Sequence, residues 1–446
     1  MSKLKQRRKF LKQLCGLSGG AVLMGTPWAY ARADSGLDTS GHKVLVHIDL
    51  SGGNDSTNML VPNTAAAYER YAFLRKDLAL PKDQLLAITP KGMSLGEYAL
   101  HPKLKGVQAL FNEGHAAFVA NMGTMVDLNG TVGSPPKRGS HSNQSRFWQG
   151  VDPTRAAVEK VGWVGRIADL DSNLSGMSTS LDGKNIWQSG RQSISAPNIL
   201  ADSGPVKFHD AEEDMQHVAD AIAADALYDD NLLVSELSRY RGNARSSLEA
   251  LDQAMNTPFI NELMQDLSLP NTKLGIRFTT ILRGILAGTT SGVPRQTFYL
   301  RQGGYDTHTA QLARQESLYE ELDTALYAFQ TALHKLGLAD QVTTFTSSEF
   351  GRKTLTNGTG TGHGWGGHQM IIGAAVNGGQ IYGAMPDLSE GSTDLEGDLG
   401  VLVPTTAVEQ YAATLAQWFG VPEYLLPKVL PHIDQFSVKN LGFMSV

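Results

Sequence analysis

The 446-residue sequence predicts an α/β fold: a doubly wound, mostly parallel sheet flanked by helices, with a helical insertion at about 209–287. Three observations carry this: short apolar runs rich in β-branched residues, glycine-bearing turns at their carboxyl ends, and helical patterns between them. No internal repeat or low-complexity tract interrupts the order, so residues 34–446 are expected to form one large domain.

The first 33 residues read as a leader rather than as part of that fold. Arg7 and Arg8 form a twin-arginine pair, and the small residues Ala29, Ala31 and Ala33 suit cleavage. The weakly apolar run from Leu14 to Gly25 between them is too short to span a bilayer. The expectation is export by the twin-arginine route to the periplasm or beyond, with no transmembrane anchor once the leader is removed. Cys15 leaves with it, so burial rather than disulfides must stabilise the mature chain. Losing seven basic residues and no acid takes the formal charge from −6 to −13, which disfavours nucleic acid and anionic membranes as partners.

KVLVHIDL at 43–50 reads as a buried strand entering the tight turn SGGND. HAAFVAN at 115–121, TFYLR at 297–301, VTTFTS at 342–347 and QMIIGAAV at 369–376 read as further strands of this buried, parallel kind. From Thr309 to about Leu336, Leu312, Leu318, Leu322, Leu326, Phe329 and Leu333 recur near helical spacing, and strand, helix, strand implies a parallel pair. The stretch 209–287 is helical throughout, whereas 123–145, rich in Gly, Ser and Pro, predicts a long loop.

Ligands of open parallel sheets bind outside the carboxyl ends of the strands. There the run 43–50 is followed by Asp55, 297–301 by Asp306 and His308, and 342–347 by Glu349 and Arg352. Any one of these acids alone could cap the next helix. Paired glycines, which allow a sharp turn and a close approach, favour a site instead, as do His363 and His368 in GTGTGHGWGGHQ. Carboxylates and imidazoles without cysteine suit a divalent metal, Zn first, with Mn, Fe or Ca as alternatives. SHSNQSRFW places Ser140 and His141 at a helix start. Ser140 or Ser142 would by default be a cap, but a helix amino terminus equally suits a nucleophile or an anion, with Arg138, Arg146 and Arg352 expected to help hold an oxyanion.

Taken together, VHIDLSGGNDSTNMLVP, RGSHSNQSRFWQG, GWVGRIAD, GGYDTHTAQ, SSEFGRK, GTGHGWGGHQ and GAAVNGGQIYG resemble a family of twin-arginine-exported proteins of unknown function. By fold that family groups with alkaline phosphatases and sulfatases, and the likeness covers nearly the whole mature chain. It implies a metal centre at the strand ends: Asp306 and His308 on one metal, Glu349 near a second, and His363 or His368 completing the set. Asp55 resembles the first-strand acid, with Asp49 as its rival. Ser140 stands at the nucleophile position, and His141 is a ligand or orienter. Two departures stand out: Gly362, where relatives often carry Asp, and Glu349 with Phe350 in place of an Asp-His pair.

The first functional expectation is therefore an exported metal-dependent hydrolase of phosphate or sulfate esters, small or polysaccharide, with Ser140 as nucleophile. The second, favoured by the departures, is a non-catalytic envelope protein with a degenerate site that works through a partner protein.

Overall fold

The computed structural model describes residues 36–94, 96–125, 137–152, 160–174, 176–192, 197–205, 232–397 and 400–445, without the side chains of 232, 233 and 236–245. The expected leader, residues 209–231 of the helical stretch and 126–136 of the long loop lie outside the described residues.

Along the strand Lys43–Ser51 successive side chains point to opposite faces. Val44, Val46, Ile48 and Leu50 enter one core, and Leu45 enters the other. Against the first face lie the helices Lys105–Asn112, Lys273–Ser291 and Gln311–Leu336; against the second lie Trp163–Leu170 and Val408–Phe419. Helices on both faces make the sheet doubly wound.

That strand sits centrally in a ten-stranded sheet, between Arg295–Gly303 and Val342–Ser347, and is parallel to both. Beyond Arg295–Gly303 follow Ser178–Ser180, Asn198–Ala201 and Gly204–Pro205. On the other side follow Gly367–Ile372, Ala116–Gly123 and Ile381–Tyr382, with Thr406–Ala407 also pairing to Ala116–Gly123. Six of the nine pairings are parallel, so the sheet is mostly parallel.

One expected parallel strand runs the other way. Gly367–Ile372 is antiparallel to both Val342–Ser347 and Ala116–Gly123. The connection from Val342–Ser347 is a short hairpin, Arg352–Thr356 with Thr361–His363, instead of a crossover helix, and a short return reverses the chain.

Helix boundaries follow capping chemistry. Thr272 caps Lys273–Ser291 through the Gly275 NH, and Gly292 ends it in the left-handed region. Gly337 ends Gln311–Leu336 in the same way. Within the helical stretch, Leu232–Met255 and Pro258–Gln265 precede Lys273–Ser291, whose Phe278 stacks on Phe329 with ring centroids 4.6 Å apart. The last helix of this stretch is thus a wall of the main core.

Candidate metal centre

Because Lys43–Ser51, Arg295–Gly303 and Val342–Ser347 are parallel neighbours, the turns after them share one edge of the sheet. Gly52 allows them to touch: at φ +124°, a Cβ there would lie 2.3 Å from the Asp306 nitrogen. Gly360 does the same from the hairpin, where a Cβ would meet the His308 carbonyl carbon at 2.3 Å. The glycines therefore bring loop against loop. In the turn after Arg295–Gly303, Tyr305 and Thr307 are buried while Asp306 and His308 face out together, as alternate residues of an extended segment do.

Asp306 is the hub. Its Oδ1 lies 2.7 Å from Arg352 Nη1, 3.0 Å from His308 Nε2 and 3.1 Å from His363 Nε2. The two Nε2 atoms are themselves 3.0 Å apart, and His141 Nε2 stands 3.6 Å from Asp306 Oδ2. His141, Asp306 and His363 each offer a ligand atom, all within 4.8 Å of one another. Glu349 joins them through His141 Nδ1, at 2.9 Å.

The orientation of the rings tests whether a metal fits. His363 Nδ1 lies 2.8 Å from the Gly139 carbonyl, which can only accept, so Nδ1 carries the proton. His141 Nδ1 faces the Glu349 carboxylate, which likewise accepts. In the neutral rings both Nε2 lone pairs then point toward Asp306, an acceptor-to-acceptor arrangement that a shared cation, added protons or, for His363, an Nε2 proton on His308 at 3.0 Å would satisfy. Imidazoles fixed through one nitrogen by a carboxylate or a carbonyl, with the other nitrogen free, are how metal-binding histidines are held. The donor separations about Asp306, from 3.0 to 3.6 Å, bracket the roughly 3.3 Å edge of a tetrahedron with bonds of about 2.0 Å. The residues fit a divalent metal.

Electrostatics follow from these contacts. Burial alone would raise the Glu349 carboxyl, but hydrogen bonds from His141 and from the Gly52 NH hold it low. Asp306 is also held low: its desolvation is outweighed by the hydrogen bond and charge of Arg352 beside it. The Glu349 hydrogen bond raises His141.

Arg352 is buried and spends its donors on protein, on Asp306, the Gly52 carbonyl and both oxygens of Thr361. It is placed to hold Asp306. Ser140 precedes the helix His141–Gly150 without capping it; its hydroxyl lies 3.3 Å from Ser142 Oγ and accepts from Asn143 Nδ2 at 3.0 Å.

Asp55 and His368, expected among the ligands, are not brought into the group. Asp55 is fully buried in an ion pair with Arg75 and accepts from Gln311. His368 is 2 % exposed, and its Nδ1 accepts from the Asn121 NH. The acid beside the centre is Asp49, raised to about 7 by burial and by Glu349, with the Tyr299 hydroxyl donating to it at 2.9 Å. Sequence reasoning missed Gly139, which as a backbone acceptor leaves no signal in the side chains. It also missed the role of Phe350, whose ring packs 4.9 Å from His141 and 4.6 Å from His363.

Among known proteins, a family model described as "Protein of unknown function (DUF1501)" matches residues 240–417, a span that holds Asp306, Glu349 and His363 but not His141. No curated protein matches. Among solved structures, the chain is similar to the lipoteichoic acid synthase LtaP from Listeria monocytogenes, at 7% identity over 93% of this chain and 78% of that one, with a TM-score of 0.33. It is also similar to the PsFucS1 sulfatase from Pseudoalteromonas sp., at 12% identity over 100% of this chain and 75% of that one, again with a TM-score of 0.33.

Proposed function

We propose that the chain is an exported, metal-dependent hydrolase of phosphate or sulfate esters. The observation that carries this reading is the pair of histidines, His141 and His363, with Nδ1 protons bound by Glu349 and Gly139 and Nε2 lone pairs turned on Asp306. His141, Asp306, His308 and His363 would hold the metal, with Glu349 orienting His141 and Arg352 fixing Asp306. A divalent metal bound there supplies Lewis-acid polarisation of the ester oxygens.

Within this reading Ser140 attacks phosphorus or sulfur, the alcohol leaves, and water then releases the acid and restores the serine. Its hydroxyl is not spent on capping, and it stands at the amino terminus of a ten-residue helix, whose free NH groups and dipole favour an anionic ester. Half-exposed Asp306 and His308 leave the centre open to a substrate from solvent.

One observation favours the second reading, a non-catalytic envelope protein acting through a partner: Arg352 already neutralises Asp306 Oδ1. Assays on aryl phosphate and aryl sulfate separate the two. Turnover by the mature protein, lost in Ser140→Ala and Asp306→Asn, is expected; a metal-loaded protein inert on both esters would overturn the hydrolase reading.

A further inference from the structure

A cavity of about 300 Å³ opens between the strand Leu60–Pro62, the helix Ala65–Arg75 and the segment from Met385 to Ser389. It shares no lining residue with the candidate metal centre. Its floor is Leu60, Leu402, Thr57 and His368, none more than 5% exposed, and Tyr98 and Met385 wall it.

Two floor residues are polar, and their hydrogen bonds are incomplete. His368 accepts the Asn121 NH at Nδ1, so its proton sits on Nε2, and burial keeps the ring neutral by pushing its pKa down to about 4. Among the described residues no protein group takes that Nε2 proton or the Thr57 hydroxyl, and both atoms stay open to the cavity instead of being sealed in protein. Buried polar groups are normally hydrogen-bonded, and two open ones in an apolar chamber point to an occupant that completes them.

Charge narrows the class of that occupant. The Asp55 carboxylate acts on His368 from close by, which disfavours an anion at the floor. At the rim, Arg70 donates Nε to the Leu388 carbonyl, and Asp387 is occupied by Ser389. We propose that this cavity binds a small uncharged molecule with an apolar body, an aromatic ring or a short branched chain, and one acceptor that takes the His368 Nε2 proton.

The test uses the folded mature chain, saturation-transfer NMR and calorimetry, with acetophenone, ethylbenzene and benzoate as probes. Acetophenone should bind saturably, ethylbenzene about three- to tenfold more weakly for want of the hydrogen bond, and benzoate should not compete. In His368→Phe the preference for acetophenone over ethylbenzene should vanish. Ala67→Trp, a substitution on the partly exposed helix at the mouth, should abolish binding of both while leaving the melting temperature near that of the parent. The inference is overturned by absence of saturable acetophenone binding, as a water-filled chamber would give. Equal affinity for ethylbenzene, competition by benzoate or binding that survives Ala67→Trp would each overturn it too.

Discussion

One oxygen of Asp306 faces a guanidinium and two imidazole nitrogens, and the direction of each ring is set from behind, by Gly139 for His363 and by Glu349 for His141. Orienting partners of this kind tune affinity without touching the ion, so Glu349→Gln should weaken metal binding by about 10–100-fold while Asp306→Asn removes it; titration with a chromogenic chelator reads both. Another residue governs stability instead. Glu409 is buried in the first turn of Val408–Phe419, its Oε2 has no partner among the described residues, and burial raises its pKa to about 8 from an ordinary 4.5. The folded state then holds that proton more tightly than the unfolded chain does, so the contribution is complete below about pH 4.5 and is lost as pH rises through 8. Glu409→Gln should therefore flatten the decline in melting temperature between pH 5 and 8, with a gain of roughly 2–5 °C at pH 8; an unchanged profile would show that Glu409 is solvated. The pairing of Asp306 with His308 was legible, because alternate residues of an extended turn share a face. The withdrawal of Asp55 from the group was not, because it depends on where the turn through Gly52 sends the chain and on the distant Arg75 that claims Asp55.

At the level of elements, the apolar runs announced the strands but not every direction. Buried parallel and antiparallel strands share the same composition, and Gly367–Ile372 reverses only because a hairpin, not a helix, leads into it. The long helix was legible from its period, and it begins at Gln311, two residues after the expected start. Its packing yields a direct number: Phe278→Ala, which empties the stack on Phe329, should cost about 3–5 kcal/mol in urea unfolding. Gly52→Ala should act differently, since its Cβ would meet the Asp306 backbone. We expect it to displace the turn carrying Asp306 and to lower metal affinity more than it lowers stability. Equal affinity in that variant would mean the turns do not depend on this contact.

Across the whole molecule, helices on both faces of a mostly parallel sheet put the acids and histidines of separate turns on one edge, where this architecture places its ligands. The open centre agrees with a ligand met in solution, and a metal that binds only the folded state should raise the melting temperature with its concentration. The central claim, that His141, Asp306 and His363 share a cation, is tested most directly by elemental analysis of the mature protein after dialysis against limiting Zn, Mn, Fe or Ca, beside a His363→Ala, Asp306→Asn double variant of unchanged circular dichroism. The account predicts about one tightly held equivalent in the parent and none in the variant. A parent that returns free of every metal, or a variant that keeps its metal, would contradict it.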